Sequence, residues 1–165
     1  MTSTQKEFLQ LCIVEQLKYK EIATKLNVPR STLTIWYEEL KEVRQKIAAI
    51  RKLWTRKKIS MSFSDFYQWY LSHEQKCIYC DITEAQIKLL LETARLETKR
   101  ITTRGRKLEL ERKQPNLKYD KFDNLAFSCY WCNNAKTDTF TEEEFKKVGK
   151  VFKEIWKNRL ENAPR

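Results

Sequence analysis

Four cysteines form two closely spaced pairs in the second half of the chain, Cys77 with Cys80 and Cys129 with Cys132. In a C-x2-C pair a tight turn aims both sulfurs at one point, and two pairs complete a tetrahedral thiolate shell with no open position. A closed shell predicts that the bound ion is a structural zinc. Two disulfides are not expected in a reducing compartment, and iron–sulfur clusters or redox cysteine pairs favour other arrangements.

Acidic side chains alternate in a short segment between the cysteine pairs, at Glu109 and Glu111. The alternation has the period of a β-strand and puts both carboxylates on the same face. Asn133 follows directly after the last cysteine. Carboxylate and amide oxygens are hard ligands that suit Mg²⁺, and a cation held by them can stabilise the charge that grows when a phosphodiester is cleaved. The residue types therefore suit a site for a magnesium ion.

Residues 76–145 resemble the HNH endonuclease family. The resemblance rests on the two spaced cysteine pairs, on the asparagine of the tripeptide DNL and on the sequence CNNAK at the end of the second pair. It implies a ββα-metal fold, Zn²⁺ as a structural cofactor and Mg²⁺ or Mn²⁺ as the catalytic cofactor. It also implies that the partner is double-stranded DNA, of which each active site cuts one strand.

The family's motif assigns roles to individual residues of this chain. It implies that Glu111 and Asn133 bind the magnesium ion and that Glu109 is a second acid of the site. It implies that the central asparagine, Asn124, ties a loop to the strand. Lys136 follows Asn133 by about one helical turn and is expected to contact the DNA.

Arg112 stands where the family has a histidine that acts as the general base. A guanidinium cannot accept a proton at neutral pH, so Arg112 is expected to hold the phosphate or the transition-state charge. Tyr119, His73 and a metal-bound hydroxide are the alternatives for the base. The catalytic residues that we expect are therefore Glu109, Glu111, Arg112, Tyr119 and Asn124.

Apolar residues at helical spacing predict three short helices between residues 4 and 40. The second and third, separated by a turn at Asn27 and Val28, resemble a helix-turn-helix, in which the last helix lies in the major groove. A three-helix unit that binds another protein is the alternative. The residues expected to contact bases or phosphates are Arg30, Ser31, Thr32, Thr34 and Tyr37.

Basic residues are in excess over acidic ones. The chain has 33 Lys and Arg against 22 Asp and Glu, and its net charge of +11 indicates a polyanionic partner rather than a merely soluble surface. Residues 41–58 contain eight basic residues and one acid, and their apolar stripe predicts a helical connector that lies along phosphates. A solvated helix face without a DNA contact is the alternative. Further DNA contacts are expected at Lys57, Lys58, Arg104 and Arg106.

Three further helices are predicted around the cysteine pairs. Aromatic residues at helical spacing after residue 61 predict a helix that covers the zinc module. A second helix is predicted within residues 82–100, capped by Thr83. Thr141 and Glu144 form a capping box, after which an amphipathic helix is expected to pack on the zinc module, with a homodimer face as the alternative.

We therefore expect an α+β protein that is mostly helical. It has an N-terminal helix-turn-helix (residues 1–40), a basic helical connector (41–60) and a zinc-stabilised ββα-metal, HNH-like nuclease domain (61–165). The expected function is metal-dependent DNA cleavage, and the alternative is a non-catalytic DNA-binding regulator that retains the zinc-stabilised fold. Because the sequence has neither a bilayer-spanning apolar run nor an export signal, we expect no membrane partner and a cytoplasmic location in a bacterial or phage-infected host cell.

Overall fold

Helices dominate the fold, as the helical spacing of the apolar residues predicts. The computed structural model describes residues 1–97 and 104–161, in which helices surround one small antiparallel sheet, an α+β fold. The chain divides into two compact units, Met1–Ser72 and His73–Arg165. The α-helices of the first unit are α1 (Ser3–Leu9), α2 (Tyr19–Leu26), α3 (Arg30–Glu39), α4 (Lys41–Arg56) and α5 (Phe63–Ser72).

A small core joins the first three helices. Phe8 of α1 is fully buried, and its ring meets the rings of Tyr19 and Trp36 at centroid distances of 6.1 and 5.8 Å. Leu33 of α3 is also fully buried. α2 ends at Asn27, whose left-handed backbone (φ 53°) is a conformation that asparagine tolerates better than most residues. The three helices predicted near the N-terminus are therefore present.

Side chains of α4 fasten it to the segments on both sides. The Arg51 guanidinium donates to two carbonyls at the end of the π-helical turn Gln10–Val14, at 2.6 and 3.0 Å. The indole of Trp54 donates to the Met61 carbonyl at 2.9 Å, and its ring packs on Phe63 at the start of α5. These contacts hold α5 in the first unit, whereas the sequence pattern predicts a helix that covers the zinc module.

A two-stranded antiparallel sheet forms in the second unit at the alternating acidic segment, as predicted. Its strands are β1 (Glu109–Arg112) and β2 (Leu125–Ser128), which pair along their whole length. α7 (Tyr130–Lys136) follows β2 after a single residue, which gives the order strand, strand, helix. The other α-helices that the structure describes in this unit are α6 (Glu84–Glu92) and α8 (Glu142–Glu161).

Helix α6 is shorter than the sequence predicted. Thr83 caps its first turn by accepting a hydrogen bond from the Gln86 amide at 3.2 Å, and the helix ends at Glu92. Ala94 then takes a left-handed backbone (φ 53°), through which a right-handed helix does not continue. The predicted helix ran further, into residues 98–100, which lie outside the described part of the chain.

The core of the second unit forms where α6 and α8 meet the cysteine pairs. Ile87 and Leu90 of α6 and Phe145 and Trp156 of α8 are buried together with all four cysteines. One face of α8 therefore packs on the zinc module, as predicted. No helix in the described ranges is both long and apolar enough to cross a lipid bilayer.

Gly149 lies where α8 presses against the backbone of Tyr79. A Cβ atom at this position would stand 2.6 Å from the Tyr79 carbonyl oxygen. Alanine is ordinarily more stable than glycine inside a helix by about 1 kcal/mol. Here we expect Gly149→Ala to lower the free energy of unfolding by about 1–3 kcal/mol, because a backbone atom cannot yield as a side chain can. Chemical denaturation of the metal-loaded protein measures the change.

Lys150→Ala is the control for this prediction, because it introduces the same residue at an exposed neighbouring position of α8. A Gly149→Ala protein at least as stable as the wild type would contradict the close contact between α8 and Tyr79.

Candidate metal centre and active site

The four cysteine sulfurs come together in the interior of the second unit. All four are buried and lie within 4.8 Å of one another. Cys80 Sγ is 3.7 Å from Cys129 Sγ. A tetrahedral shell with zinc–sulfur bonds of about 2.3 Å separates its sulfurs by about 3.8 Å, whereas a disulfide needs about 2.05 Å. The geometry of the cluster fits a zinc site.

Backbone turns at each cysteine pair aim these sulfurs inward. In the first pair, Asp81 donates its amide to the Cys77 carbonyl at 2.9 Å, and its left-handed backbone (φ 61°) closes the turn. In the second pair, Cys129 is the N-cap of α7, and its sulfur accepts from the amide three residues later at 3.4 Å. Ile78 donates to the Phe127 carbonyl at 2.8 Å, which fastens the first turn to β2.

Crowding of the four thiols shifts the pKa values of two of them in opposite directions. Hydrogen bonds from Cys129, and then from the other two thiols, lower the pKa of Cys77 far below its usual range. The neighbouring Cys129 thiol raises the pKa of Cys132. Zinc binds cysteine as the thiolate, so a divalent cation must displace the thiol protons to bind, and metal affinity should fall as the pH falls.

Strand β1 turns both of its carboxylates toward α7. Glu109 accepts a hydrogen bond from the side-chain amide of Asn133, and Glu111 accepts one from the ammonium of Lys136 at 2.9 Å. Asn133 and Lys136 are three residues apart and so share one face of the helix. The family's motif groups Glu111 with Asn133 as metal ligands, whereas in the structure the direct contact of Asn133 is with Glu109.

Lys136 lies in the interior of this site. Its side chain is fully buried beside Glu111, and its ammonium also donates to the Arg112 carbonyl at 3.0 Å. A buried ammonium without partners would be costly, and these two acceptors offset that cost. From its sequence position Lys136 is expected to contact DNA, but its burial directs the charge toward the end of β1. The sequence around Lys136 gives no signal of such burial, because lysine is ordinarily a surface residue.

Arg104 provides a second cation at the solvent edge of the site. One guanidinium nitrogen lies 2.8 Å from both carboxylate oxygens of Glu109, and the group also lies 4.8 Å from the centroid of the Tyr130 ring. The side chain is 47% exposed. Arg106, the other basic residue predicted here for DNA contact, is exposed.

Arg112 and Tyr119 are neighbours at the end of β1. The Arg112 guanidinium carbon lies 5.1 Å from the centroid of the Tyr119 ring, and its Nη1 donates to the Leu117 carbonyl at 3.0 Å. The loop after the strand therefore fixes the direction of this guanidinium. His73, the other side chain considered as a base, is exposed.

Asn124 anchors the loop that follows β1. Its side chain is buried; Oδ1 accepts from the Gln114 amide at 2.8 Å, and Nδ2 donates to the Lys118 carbonyl at 3.4 Å. The Asn124 carbonyl also accepts from the Lys113 amide at 2.9 Å. The residue thus ties the loop to the start of β2, which is the role that the resemblance implied.

The remaining residues predicted to contact DNA lie in the first unit, on α3 and at the end of α4. Arg30, Ser31 and Thr34 are exposed on α3. Tyr37 is half-buried, and the Arg44 guanidinium lies 3.3 Å from its ring centroid, so this ring takes part in packing. Thr32 and Lys57 are half-buried, and Lys58 is exposed.

The fold of the chain is similar to that of a known nuclease. A solved structure of the rare-cutting HNH restriction endonuclease PacI aligns with a TM-score of 0.51 over 68% of this chain and 77% of that chain, and the sequences are 23% identical. No protein-family model matches the sequence, and no curated protein matches it. The similarity confirms the HNH resemblance at the level of the fold.

Replacing one sulfur of the cluster tests the metal centre. Cys129→Ser removes a ligand from the cluster and changes the cap of α7. We expect it to lose both the metal and the fold of the second unit, because metal binding and folding are coupled in such sites. Elemental analysis should find about one zinc per wild-type chain, and circular dichroism should report the unfolding.

Cys12→Ser is the matched control for Cys129→Ser, because Cys12 lies outside the cluster. This variant should keep its zinc and its thermal transition. A wild-type protein that is fully folded after the metal has been removed would contradict a structural zinc.

Proposed function

We propose that the chain is a metal-dependent DNA endonuclease that hydrolyses phosphodiester bonds and nicks one strand per active site. The observation that carries the proposal is the face of α7, where Asn133 and Lys136 meet the two glutamates of β1. Carboxylates, an amide and a guanidinium at one strand end can bind a cation and a phosphate together. The similarity in fold to an HNH endonuclease supports the same function.

A divalent cation, Mg²⁺ or Mn²⁺, fits the donor atoms of this site. Asn133 donates its amide nitrogen to Glu109, so its side-chain oxygen is the atom available to a cation. Together with the Glu111 carboxylate it offers hard oxygen ligands, as Mg²⁺ prefers. When bound, the cation would stabilise charge on the phosphoryl oxygens and on the leaving oxygen. We assign Glu111 and Asn133 as ligands and Glu109 as the residue that orients Asn133.

Lys136 is proposed as a positioning residue rather than a DNA contact. Its ammonium binds the Glu111 carboxylate and the last carbonyl of β1 at the same time. The two bonds fix the side chain that would hold the cation relative to the backbone that carries Arg112. Because the lysine is fully buried, it can do this without touching the substrate.

Arg112 is proposed to hold the scissile phosphate. A guanidinium presents paired donors that match two phosphate oxygens, and the Leu117 carbonyl and the Tyr119 ring hold it in place. It cannot take a proton from the attacking water. Tyr119 lies beside Arg112 and is our candidate for the general base.

The first unit is proposed to hold double-stranded DNA through a helix-turn-helix formed by α2 and α3. Arg30, Ser31 and Thr34 are exposed on the first turns of α3, which is the part of a recognition helix that meets base edges. The net charge of +11 adds attraction to phosphates that does not depend on sequence.

A non-catalytic DNA-binding regulator is the second candidate. It is favoured by the fact that both carboxylates of β1 already contact cations, Glu109 with Arg104 and Glu111 with Lys136. In that case the ion pairs stabilise the fold and no catalytic cation binds. Incubation of supercoiled plasmid with the purified protein and Mg²⁺ or Mn²⁺ separates the two candidates.

Glu111→Gln tests metal ligation with little change of shape. Alanine would leave the Lys136 ammonium buried without this partner, at a cost of about 3–5 kcal/mol, whereas glutamine can still accept a hydrogen bond. We expect Glu111→Gln to slow plasmid cleavage by more than about 100-fold, because it removes a ligand of the cation. Zinc content and DNA affinity should not change.

Glu109→Gln is the matched comparison, on the same strand and facing the same helix. Its rate of plasmid cleavage should fall by about 10-fold to 100-fold, as expected for a group that orients a ligand. If the wild type and Glu111→Gln are equally unable to cut DNA with either cation, the nuclease proposal falls and the regulator takes its place. If both cut equally well, Glu111 is not a ligand.

Arg112→His introduces the residue that HNH enzymes use as a base. We expect cleavage to slow by at least about tenfold, since a neutral imidazole lacks the fixed charge and paired donors that hold a phosphate. Arg112→Lys keeps the charge and should retain more activity than Arg112→His. A faster single-turnover rate for Arg112→His would show instead that base catalysis, which typically contributes about 10²–10⁴-fold, limits the reaction.

A further inference from the structure

Helix α8 has two apolar faces, of which the fold of the second unit uses one. Phe145 and Trp156 face the zinc module and are buried. On another side of the helix, Val148, Val151 and Ile155 are 44%, 56% and 39% exposed. These three recur at intervals of three and four residues, so their side chains form one continuous stripe.

This stripe differs from the usual scatter of exposed apolar residues. Leu89, Leu117 and Phe140 are the other large hydrophobic side chains exposed in the described part of this unit, and they belong to three separate segments. Single exposed apolar residues are normal on protein surfaces. Three that are aligned on one helix indicate a binding face.

Charges beside the stripe make α8 complementary to a reversed copy of itself. Lys147 and Glu154 are exposed, seven residues apart on one edge of the stripe. Neither has an ion-pair partner within residues 1–97 and 104–161. The first turn of α8 is acidic at residues 142–144, and the last turns carry Lys157 and Arg159. An antiparallel partner helix with the same sequence would match Lys147 with Glu154, and the acidic first turn with the basic last turns.

We propose that this stripe is a homodimer interface, in which α8 packs antiparallel to α8 of a second copy of this chain. A two-fold axis beside Val151 brings Val148 of each copy against Ile155 of the other. The same axis brings Lys147 of each copy against Glu154 of the other. Both copies then contribute the same residues, as a closed two-fold dimer requires.

The size of this interface predicts a modest affinity. α8 has 20 residues and is therefore about 30 Å long. One pair of such helices buries less than the roughly 800 Å² per partner of a standard interface. We expect a Kd on the order of micromolar.

The proposed dimer does not depend on the proposed function, but it would change how a nuclease of this kind cuts DNA. Two copies carry two active sites, so a dimeric nuclease could cut both strands of one duplex where a monomer nicks one. A variant that cannot dimerise should then leave more nicked than linear plasmid early in the reaction.

Sedimentation equilibrium of the full, metal-loaded chain between about 1 and 100 µM tests the dimer. We expect the wild type to dimerise. Val151→Lys should weaken the dimer at least about tenfold, because it sets two ammonium groups against each other at the axis. Lys147→Glu and Glu154→Lys should each weaken it about tenfold by opposing like charges twice, and the double variant should return to within about threefold of wild type.

Lys107→Glu is the matched control, because it makes the same change of charge as Lys147→Glu at an exposed position outside α8. It should keep the wild-type Kd, and circular dichroism and zinc content verify that every variant is folded. A monomeric wild type, an undiminished dimer for Val151→Lys, or a double variant no better than the single ones would overturn the proposal. A dimer that cuts no DNA leaves this inference intact and overturns the nuclease proposal instead.

Discussion

The meeting of four buried cysteine sulfurs is the interaction on which the second unit depends. It joins the turn before α6 to the start of α7, two points that are far apart in the sequence, and so it fixes the position of α7 relative to that turn. From that position α7 presents Asn133 and Lys136 to the glutamates of β1. An ion in this cluster would take no part in a reaction, because its shell is closed. It would nevertheless determine whether the reactive groups meet, because such a unit does not fold without its metal.

Features that depend on near neighbours in the sequence could be predicted. The spacing of the cysteines, the alternation in β1 and the capping box at Thr141 each involve residues a few positions apart, and all three are present. Features that depend on distant partners could not. The aromatic residues of α5 have the same helical spacing whichever unit they pack on, and the contact of Trp54 with Phe63 decides between them. The apolar residues of α8 likewise predict a helix without indicating which side the core will cover.

Within the candidate site, the residue types followed from the sequence but their pairing did not. A motif supplies two carboxylates, an amide and a lysine, whereas the contacts among them depend on how far along β1 the helix α7 begins. A difference of two residues would bring Glu111 instead of Glu109 to Asn133. Lys136 shows the limit most clearly, since a lysine in a chain of net charge +11 is expected at the surface. Its full burial follows only from the packing of α7 on the end of β1.

The buried contact between Lys136 and Glu111 also protects the sheet against a slip of register. β1 is only four residues long, so its backbone hydrogen bonds alone discriminate weakly between alternative alignments with β2. A shift of one residue would turn Leu110 toward α7 and carry Glu111 to the opposite face. The Lys136 ammonium would then be enclosed against hydrocarbon, at a penalty of roughly 3–5 kcal/mol. The ion pair of Lys136 with Glu111 thus favours the native register of β1 with β2, which the backbone hydrogen bonds of so short a strand favour only weakly.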